Sequence, residues 1–256
     1  MIRPLFLFLV TLFTLASVVK ATNEPRLRDI LSKHWEAMGG MSNWSKVESI
    51  RLNGTIERDG QLVDICIVKK RPDQIRATVT FPLPGSEDEE LQVIRAHDGK
   101  TAWTATRLAG APEMKKEALP PEAAAELMAD AGVLPRLIKL WREGVTLEIL
   151  PPQAIEGENA YSLKPQTESS EEYIFYLSSD SYRLLAYETV SDDGTTTRTS
   201  ISDYFEEGGV LIPRATVIES PRTGVSTMIT HSVEVGVGIY KEYFGAGEGP
   251  QTARSE

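Results

Sequence analysis

Apolar and polar residues alternate on either side of a short polar segment in the first third of the chain. The apolar positions are Val63, Ile65 and Ile67 before this segment and Ile75, Ala77, Val79 and Phe81 after it. A repeat of two residues is typical of a β-strand that turns one face towards an apolar interior. Pro72, in the polar segment, cannot donate to a strand ladder, and Pro-Asp favours a turn. The pattern therefore predicts a hairpin whose apolar face needs more strands or a helix to cover it.

Short runs of the same kind, separated by turn residues, continue along most of the chain. Five are predicted at 49–57, 61–69, 75–81, 91–97 and 101–106. Six or seven more follow a helical segment, at 146–150, 159–164, 172–177, 184–190, 195–203, 211–219 and 227–234. The Asp-Gly and Gly-Gly turns between neighbours indicate an antiparallel meander. The sequence thus predicts a mainly β, α+β fold built on one sheet of about 11 strands.

Two segments show the helical repeat instead. The first begins near Asn23, a good N-terminal cap, and ends at the two glycines 39–40. Its apolar stripe consists of Leu27, Ile30, Leu31, Trp35 and Met38. His34 lies beside the stripe and is interpreted as a flank residue. The second segment, 122–143, is broken at 130–135 by a glycine and a proline. Because its apolar side is too rich for a free surface helix, we expect it to lie across the open face of the sheet.

The first 21 residues have the layout of a secretory leader. Arg3 precedes an apolar run, and the small residues Val19 and Ala21 occupy the −3 and −1 positions of a cleavage site. No cysteine follows that site to carry a lipid anchor. The predicted divisions are a cleaved signal peptide at 1–21, a single domain at 22–244 and a flexible tail at 245–256. We therefore expect an exported protein without a lipid anchor.

Charge and cysteine content narrow the range of functions. Of 27 basic residues, Arg3 and Lys20 belong to the leader, so 25 remain against 37 acidic ones, a net charge of −12. Such an acidic protein is a poor candidate for binding nucleic acid or an anionic membrane surface. Cys66 is the only cysteine, so no intramolecular disulfide can form. Its place in an alternating strand favours a buried, inert thiol over a nucleophile.

Five turn-and-strand motifs occur in an order found in a known family. They are VKKRP at 68–72, DGKTAW at 98–103, EGENAYSLKPQ at 156–166, YIFYLSSDSYRLLAYE at 173–188 and ISDYFEEGGVLIPRATVIE at 201–219. Together with the leader and the two helical segments, this order resembles the outer-membrane lipoprotein-sorting superfamily, the LolA–LolB-like periplasmic carriers and their relatives. The resemblance spans nearly the whole chain after the leader. It implies a curved, unclosed antiparallel β-barrel with an N-terminal helix and a central helical lid on its concave side.

The resemblance also implies a site. In the carriers, an arginine in the bend after the second long strand bonds to the lid helices and holds an apolar cavity shut, and Arg71 and Pro72 match that bend. Without the resemblance, Arg71 would be interpreted as a solvated surface charge. The lipid-binding lining predicted from the alternation is Val63, Ile65, Ile67, Ile75, Val79, Phe81, Trp103, Leu134, Leu137, Trp141, Phe175 and Leu177. The same residues would form the interior of a fully packed barrel, so cavity and core remain alternatives.

The function implied is a monomeric carrier that shelters an acyl chain or a lipidated protein and uses no cofactor. Its partners would be lipid or lipoprotein acyl chains and membrane-bound donor and acceptor proteins. The alternative is an envelope sensor or protein-interaction scaffold that uses the same half-barrel without lipid cargo. An enzyme is not expected, because the three histidines form no metal or triad motif and no nucleophile elbow or phosphate loop occurs.

Overall fold

The computed structural model of the protein describes residues 25–83, 85–86, 89–111, 115–167, 172–191 and 193–245. The predicted signal peptide therefore lies outside the described residues. So does all of the predicted tail except its first residue, Gly245.

Within the described residues, thirteen strands form one sheet, and every neighbouring pair is antiparallel. The strands are β1 (Ser49–Arg58), β2 (Gln61–Lys70), β3 (Gln74–Pro82), β4 (Glu90–His97), β5 (Ala102–Leu108), β6 (Lys116–Ala118), β7 (Leu147–Ile155), β8 (Glu158–Pro165), β9 (Glu172–Ser178), β10 (Leu184–Val190), β11 (Thr196–Glu207), β12 (Val210–Ser220) and β13 (Gly224–Val235). Each strand pairs with the next along the chain, except that β6 and β7 are not paired. Instead β1 pairs with β13, which joins the two halves of the sheet, β1–β6 and β7–β13. The edges are β6 and β7, so the predicted unclosed antiparallel sheet is confirmed.

Two strands differ from the predicted pattern. The three residues of β6 were expected to be a polar approach to the helices, but they pair with β5 through Trp103–Ala118 and Thr104–Glu117. A strand this short cannot show an alternation that sequence can detect. Strand β7 continues past the predicted 146–150 through two prolines, and its register with β8 shifts between Leu150 and Gln153. Such a bulge is one of the few places where a sheet accepts proline.

The helices are α1 (residues 25–37), α2 (Gly40–Trp44), α3 (Pro121–Ala129) and α4 (Arg136–Arg142). The break between α3 and α4 falls where glycine and proline predicted it. Helix α2 was not predicted, because five residues carry too little helical repeat. It begins where the chain passes close to β12: a Cβ on Gly39 would lie 2.3 Å from the Gly209 carbonyl oxygen. Only glycine permits that approach.

The core lies on the concave side of the sheet, in two apolar clusters that meet at α4. One joins Ile138 of α4 and Trp35 of α1 to residues of β1 and β12, namely Ile50, Val210 and Ile212. The other joins Leu137 of α4 and Leu31 of α1 to residues of β7, β8 and β9, namely Leu147, Leu163, Phe175 and Leu177. Trp141 packs against both clusters, 6.2 Å from Trp35 between ring centroids. Because one short helix contacts strands from both halves, the sheet has to curl around it.

The convex face carries a smaller apolar layer under the C-terminal strap, residues 236–245. Phe244 of the strap is fully buried, and its carbonyl oxygen accepts a hydrogen bond from Trp103 Nε1 at 2.8 Å. Arg76 donates to the Tyr243 carbonyl oxygen at 2.9 Å and stacks over the Tyr243 ring at 4.4 Å. The strap thus covers the outside of β3 and β5, where the layer includes Ile94.

His34 is buried, with 1% of its surface exposed, so its interpretation as a flank residue was wrong. The turn between β9 and β10 folds onto α1, and the carbonyl oxygen of Tyr182 lies 2.7 Å from His34 Nδ1. Since a carbonyl oxygen only accepts, Nδ1 carries the proton in this neutral ring. Burial, only partly opposed by this hydrogen bond, lowers the pKa of His34 to about 4.

We expect this histidine to make the fold sensitive to mild acid. Its pKa is about 4 in the folded protein and 6.5 in its ordinary state. The unfolded chain therefore binds the proton more readily, and the free energy of unfolding falls as the pH drops from about 6.5 to 4. The full loss is about 3 kcal/mol. Urea unfolding at pH 7 and pH 4.5 should show a smaller decrease for His34→Gln than for the unsubstituted protein. The exposed His231→Gln is the control, and an equal decrease in all three proteins would contradict the assignment.

Candidate binding cavity

A cavity of about 750 Å³ opens on the concave side, between β1–β4, β12–β13 and α3. Its apolar walls are Ile56, Val63, Ala77, Val79, Phe81, Val93, Ala123, Leu127, Ile218 and Met228. Its polar lining is Arg58, Asp59, Gln61, Arg95, Glu126, Asp130 and Ser226. The volume lies within the ~300–1,000 Å³ that small-molecule pockets usually span. The cavity exists because α1 and α4 fill only the part of the concave side that faces β1, β12 and β7–β9.

Helix α3 is the element that covers this space, and we call it the lid. It contacts β4 and β5, yet none of its residues is buried, and Met128 is 49% exposed. In contrast, Leu137 and Ile138 of α4 are each 1% exposed. An element that buries few apolar side chains separates from the rest of the protein at a lower cost in free energy than a core element does. The lid is therefore the least firmly held wall of the cavity.

On the concave face, residues that lie opposite one another on β2, β3 and β4 form successive rows across the strands, which we call rungs. Ile65 lies opposite Val79, which lies opposite Val93. One rung further in, Ala77 lies between Ile67 and Arg95. The innermost rung places Ile75 between Lys69 and His97. The apolar rung at Ile65 is therefore followed by a rung that carries Arg95 and by one that carries Lys69 and His97.

The predicted lining residues fall into several groups. Val63, Val79 and Phe81 line the cavity. Ile65, Ile67 and Ile75 share its face of the sheet, and Ile65 and Ile75 are almost fully buried. Leu134, Leu137, Trp141, Phe175 and Leu177 belong to the packed clusters around α4 rather than to the cavity walls.

Trp103 lies on the opposite face. It pairs with Ala96, whose neighbour Arg95 lines the cavity, so Trp103 points outward. The C-terminal strap covers that outer face, which explains an apolar residue there. Alternation along a strand defines its two faces but not which of them is the inner one.

The alternation also missed several wall residues. Val93 of β4 could have been found from the same period of two. Ile218 and Met228 reach the cavity because β13 pairs with β1, with Met228 opposite Ile56. That pairing joins distant parts of the chain, and no local signal in the sequence indicates it.

Arg71 lies at the predicted bend, but it does not bond to the lid helices, as the resemblance implies. Its Nε donates to the Val47 carbonyl oxygen and its Nη2 to the Trp44 carbonyl oxygen, each at 2.7 Å. Both acceptors lie at the end of α2 or just after it, rather than on α3 or α4. The reason is that the bend lies against the start of β1, where the Arg71 N–H donates to Glu48 O at 3.0 Å. Arg71 thus fixes the bend to the α2 end.

The bend itself holds the connection between α3 and α4. Lys139 Nζ lies 2.9 Å from Asp73 Oδ1, and the Gly132 N–H donates to the Gln74 carbonyl oxygen at 3.3 Å. Gly132 has φ +82°, and a Cβ there would lie 2.6 Å from the Pro72 carbonyl oxygen. Arg71 and Pro72 line a crevice of about 240 Å³ with this connection. The contacts that hold the base of the lid are therefore made by the residues just after Arg71.

Three cations, Arg136, Lys139 and Lys69, lie around Asp130 of the cavity lining. Arg136 Nη2 donates to Asp130 Oδ1 at 2.8 Å, and the guanidinium stacks over Tyr173 at 4.9 Å. Lys139 is held by Asp73. The pKa of Lys69 is lowered, mainly by burial; Asp130 opposes this, while Arg136 and Lys139 add to it.

Within the described ranges, no group of three or more His, Cys, Asp and Glu side chains is arranged to hold a metal ion. None of the described helices has the length and apolar character needed to cross a membrane.

The sequence matches no family model and no curated protein. The fold, however, is similar to those of solved structures. A LolA superfamily protein from Nitrosomonas europaea aligns with a TM-score of 0.55 at 12% identity, over 85% of this chain and 96% of that one. A putative outer membrane lipoprotein-sorting protein domain from Vibrio parahaemolyticus aligns with a TM-score of 0.52 at 14% identity, over 84% and 94%.

A DUF1329 family protein from Desulfovibrio piger aligns equally well, with a TM-score of 0.54 at 11% identity over 83% of this chain and 96% of that one. Identities this low show similarity of fold and nothing finer. The alignments cover almost the whole of each solved chain and more than four fifths of this one. The chain therefore has the fold that these three solved structures share.

Proposed function

We propose that this protein is a periplasmic carrier that shelters an acyl chain, free or attached to a lipidated protein, in the cavity beneath α3. The observation that carries the proposal is the cavity of about 750 Å³, whose walls are mostly apolar and whose cover has no buried residue. A packed barrel would need side chains in that space. An acyl chain can occupy it instead and leave through the lid.

The energetics suit a reversible carrier. Each methylene transferred from water to an apolar site contributes ~0.8 kcal/mol. Ten methylenes would supply ~8 kcal/mol before the costs of association and ordering are subtracted. With a cost of about 4 kcal/mol, the remaining ~4 kcal/mol corresponds to a dissociation constant of about 1 mM. Each further buried methylene would tighten binding about fourfold, so capture stays reversible.

The cellular setting is part of the proposal. The leader at 1–21 would direct export, and residues 22–244 would act as one monomeric domain between membrane-bound donor and acceptor proteins. The names of two solved structures with this fold, a LolA superfamily protein and a lipoprotein-sorting domain, support such a role. The acidic charge of the chain would keep the carrier from adhering to anionic lipid surfaces.

Arg71 and Pro72 would serve as an indirect latch. Arg71 anchors the bend to the carbonyl groups near the end of α2, and the bend holds the base of the lid through Asp73 and Gly132. Opening would separate α3 from β4 and β5 while α4 stays in the core.

Filling the cavity should abolish binding. Val79→Trp places an indole among the walls, and we expect it to weaken binding of a fluorescent acyl probe at least tenfold, because the probe and the ring compete for one space. Thr80→Trp, on the opposite face of β3, is the matched control and should bind like the unsubstituted protein. Fluorescence titration measures both affinities. Failure of the unsubstituted protein to bind, or equal binding by Val79→Trp, would refute the proposed function.

Loosening the base of the lid should open it. In Gly132→Ala the new Cβ meets the Pro72 carbonyl oxygen, so the α3–α4 connection has to move. Gly144→Ala introduces the same backbone strain, at φ +80°, but meets no atom within 4 Å. We expect hydrogen exchange of the α3 amides to accelerate severalfold in Gly132→Ala and to stay unchanged in Gly144→Ala. Equal exchange in the two variants would show that the bend does not hold the lid.

A further inference from the structure

Some charged residues of the cavity lining already have a partner of opposite charge, and others do not. Arg58 lies 3.7 Å from Asp59, and Asp130 accepts a hydrogen bond from Arg136 at 2.8 Å. The guanidinium of Arg95, in contrast, has no hydrogen bond or ion pair with any residue that the structure describes. It is exposed, so Arg95 is a cation of the cavity that a ligand can reach.

Glu126 is the second charged residue of the lining without such a partner. Within the described part of the chain, no hydrogen bond or ion pair reaches its carboxylate, and it too is exposed. Asp130 follows four residues later on the same face of α3, but it is bonded to Arg136. The lining therefore offers one accessible anion as well as one accessible cation.

The two residues belong to different walls of the cavity. Arg95 is on β4 and Glu126 is on α3, the lid, and α3 contacts β4. No ion pair joins these two described residues. A ligand that carries both charges can therefore contact the sheet and the lid at once.

Apolar walls continue from Arg95 towards the β1–β2 hairpin. Val93, two residues before Arg95 on the same face of β4, lies opposite Val79 in the neighbouring rung. Closer to the hairpin, Ile56 lies opposite Met228, and both line the cavity. A ligand with its charged group at Arg95 can therefore place an apolar tail along these residues. The volume of about 750 Å³, within the range of small-molecule pockets, suits a single tail.

A head group with one charge would suit only one of the two residues. An anion bound at Arg95 would share the cavity with the Glu126 carboxylate, and a cation bound at Glu126 would share it with Arg95. A phosphate matches Arg95, because a guanidinium binds phosphate oxygens through two parallel N–H donors. An ammonium group matches the carboxylate of Glu126. A zwitterionic head group, in which a phosphate is joined to an ammonium group, therefore neutralises both.

We propose that the ligand is a single-chain zwitterionic phospholipid, whose phosphate binds Arg95 and whose ammonium group binds Glu126. This inference rests on the proposed function, since it assigns a ligand class to the same cavity. The acyl tail would lie against Val93, Val79 and Ile56. Because the head group would contact β4 and α3 together, the ligand would also hold the lid against the sheet.

Four probes with the same dodecyl tail test this inference, each used below its micelle-forming concentration. Dodecylphosphocholine is zwitterionic, dodecyl phosphate is an anion, dodecyltrimethylammonium is a cation and lauryl alcohol is uncharged. We expect the unsubstituted protein to bind dodecylphosphocholine at least fivefold more tightly than each of the other three. Titration calorimetry gives each affinity.

Two substitutions each remove one charge of the site. Arg95→Met should weaken binding of dodecylphosphocholine and dodecyl phosphate at least fivefold and leave lauryl alcohol binding unchanged or tighter. Glu126→Gln should weaken binding of dodecylphosphocholine and dodecyltrimethylammonium by a similar factor, again without weakening lauryl alcohol. The controls are two exposed residues outside the lining, Lys46→Met and Glu122→Gln, the latter also on α3. Both should bind like the unsubstituted protein, and thermal unfolding verifies that every variant is folded.

The possible failures can be distinguished. If lauryl alcohol binds and dodecylphosphocholine binds no more tightly, the zwitterionic site is wrong while the acyl cavity stands. If only one of the two substitutions weakens dodecylphosphocholine binding, or neither does, the assignment of the head group to both residues is wrong. If none of the four probes binds the unsubstituted protein, the proposed function fails and this inference fails with it.

Discussion

The packing of α4 between the two halves of the sheet is the constraint on which the rest of the structure depends. Two consecutive residues of this short helix, Leu137 and Ile138, belong to different apolar clusters, and Trp141 contacts both. Strands from opposite halves of the sheet can reach one helix only if the sheet curls. The pairing of β1 with β13 makes a continuous curl possible, and the edges at β6 and β7 leave it unclosed.

The same packing explains why a cavity remains. Helices α1 and α4 are short and lie against β1, β12 and β7–β9, so Val63, Val79 and Val93 of β2–β4 border the cavity instead of either helix. Those strands are stabilised from outside instead, where the C-terminal strap buries Phe244 against the convex face. Stability and an open interior can therefore coexist, because the strap contacts Arg76 of β3 and Trp103 of β5 on the face opposite the cavity.

The sequence predicted the sheet well and the site only in part. Alternation located most strands and identified Val63, Val79 and Phe81, because a period of two survives in any half-buried strand. It placed Trp103 on the wrong face, since the strap makes the outer face of β5 apolar as well. It could not separate Leu137 and Phe175, which are packed, from true wall residues, because core and cavity need the same side chains. Ile218 and Met228 reach the cavity only through pairing between distant segments, which no local pattern encodes.

The central claim is that the space beneath α3 holds an acyl chain in the cell. Native mass spectrometry of the protein purified from the periplasm of an expressing host, with lipid extraction of the same sample, tests it most directly. The account predicts a population heavier than the bare chain by the mass of an acyl species, which extraction then recovers. A single mass equal to that of the bare chain, with no uptake of added fatty acid or lipopeptide, would contradict it.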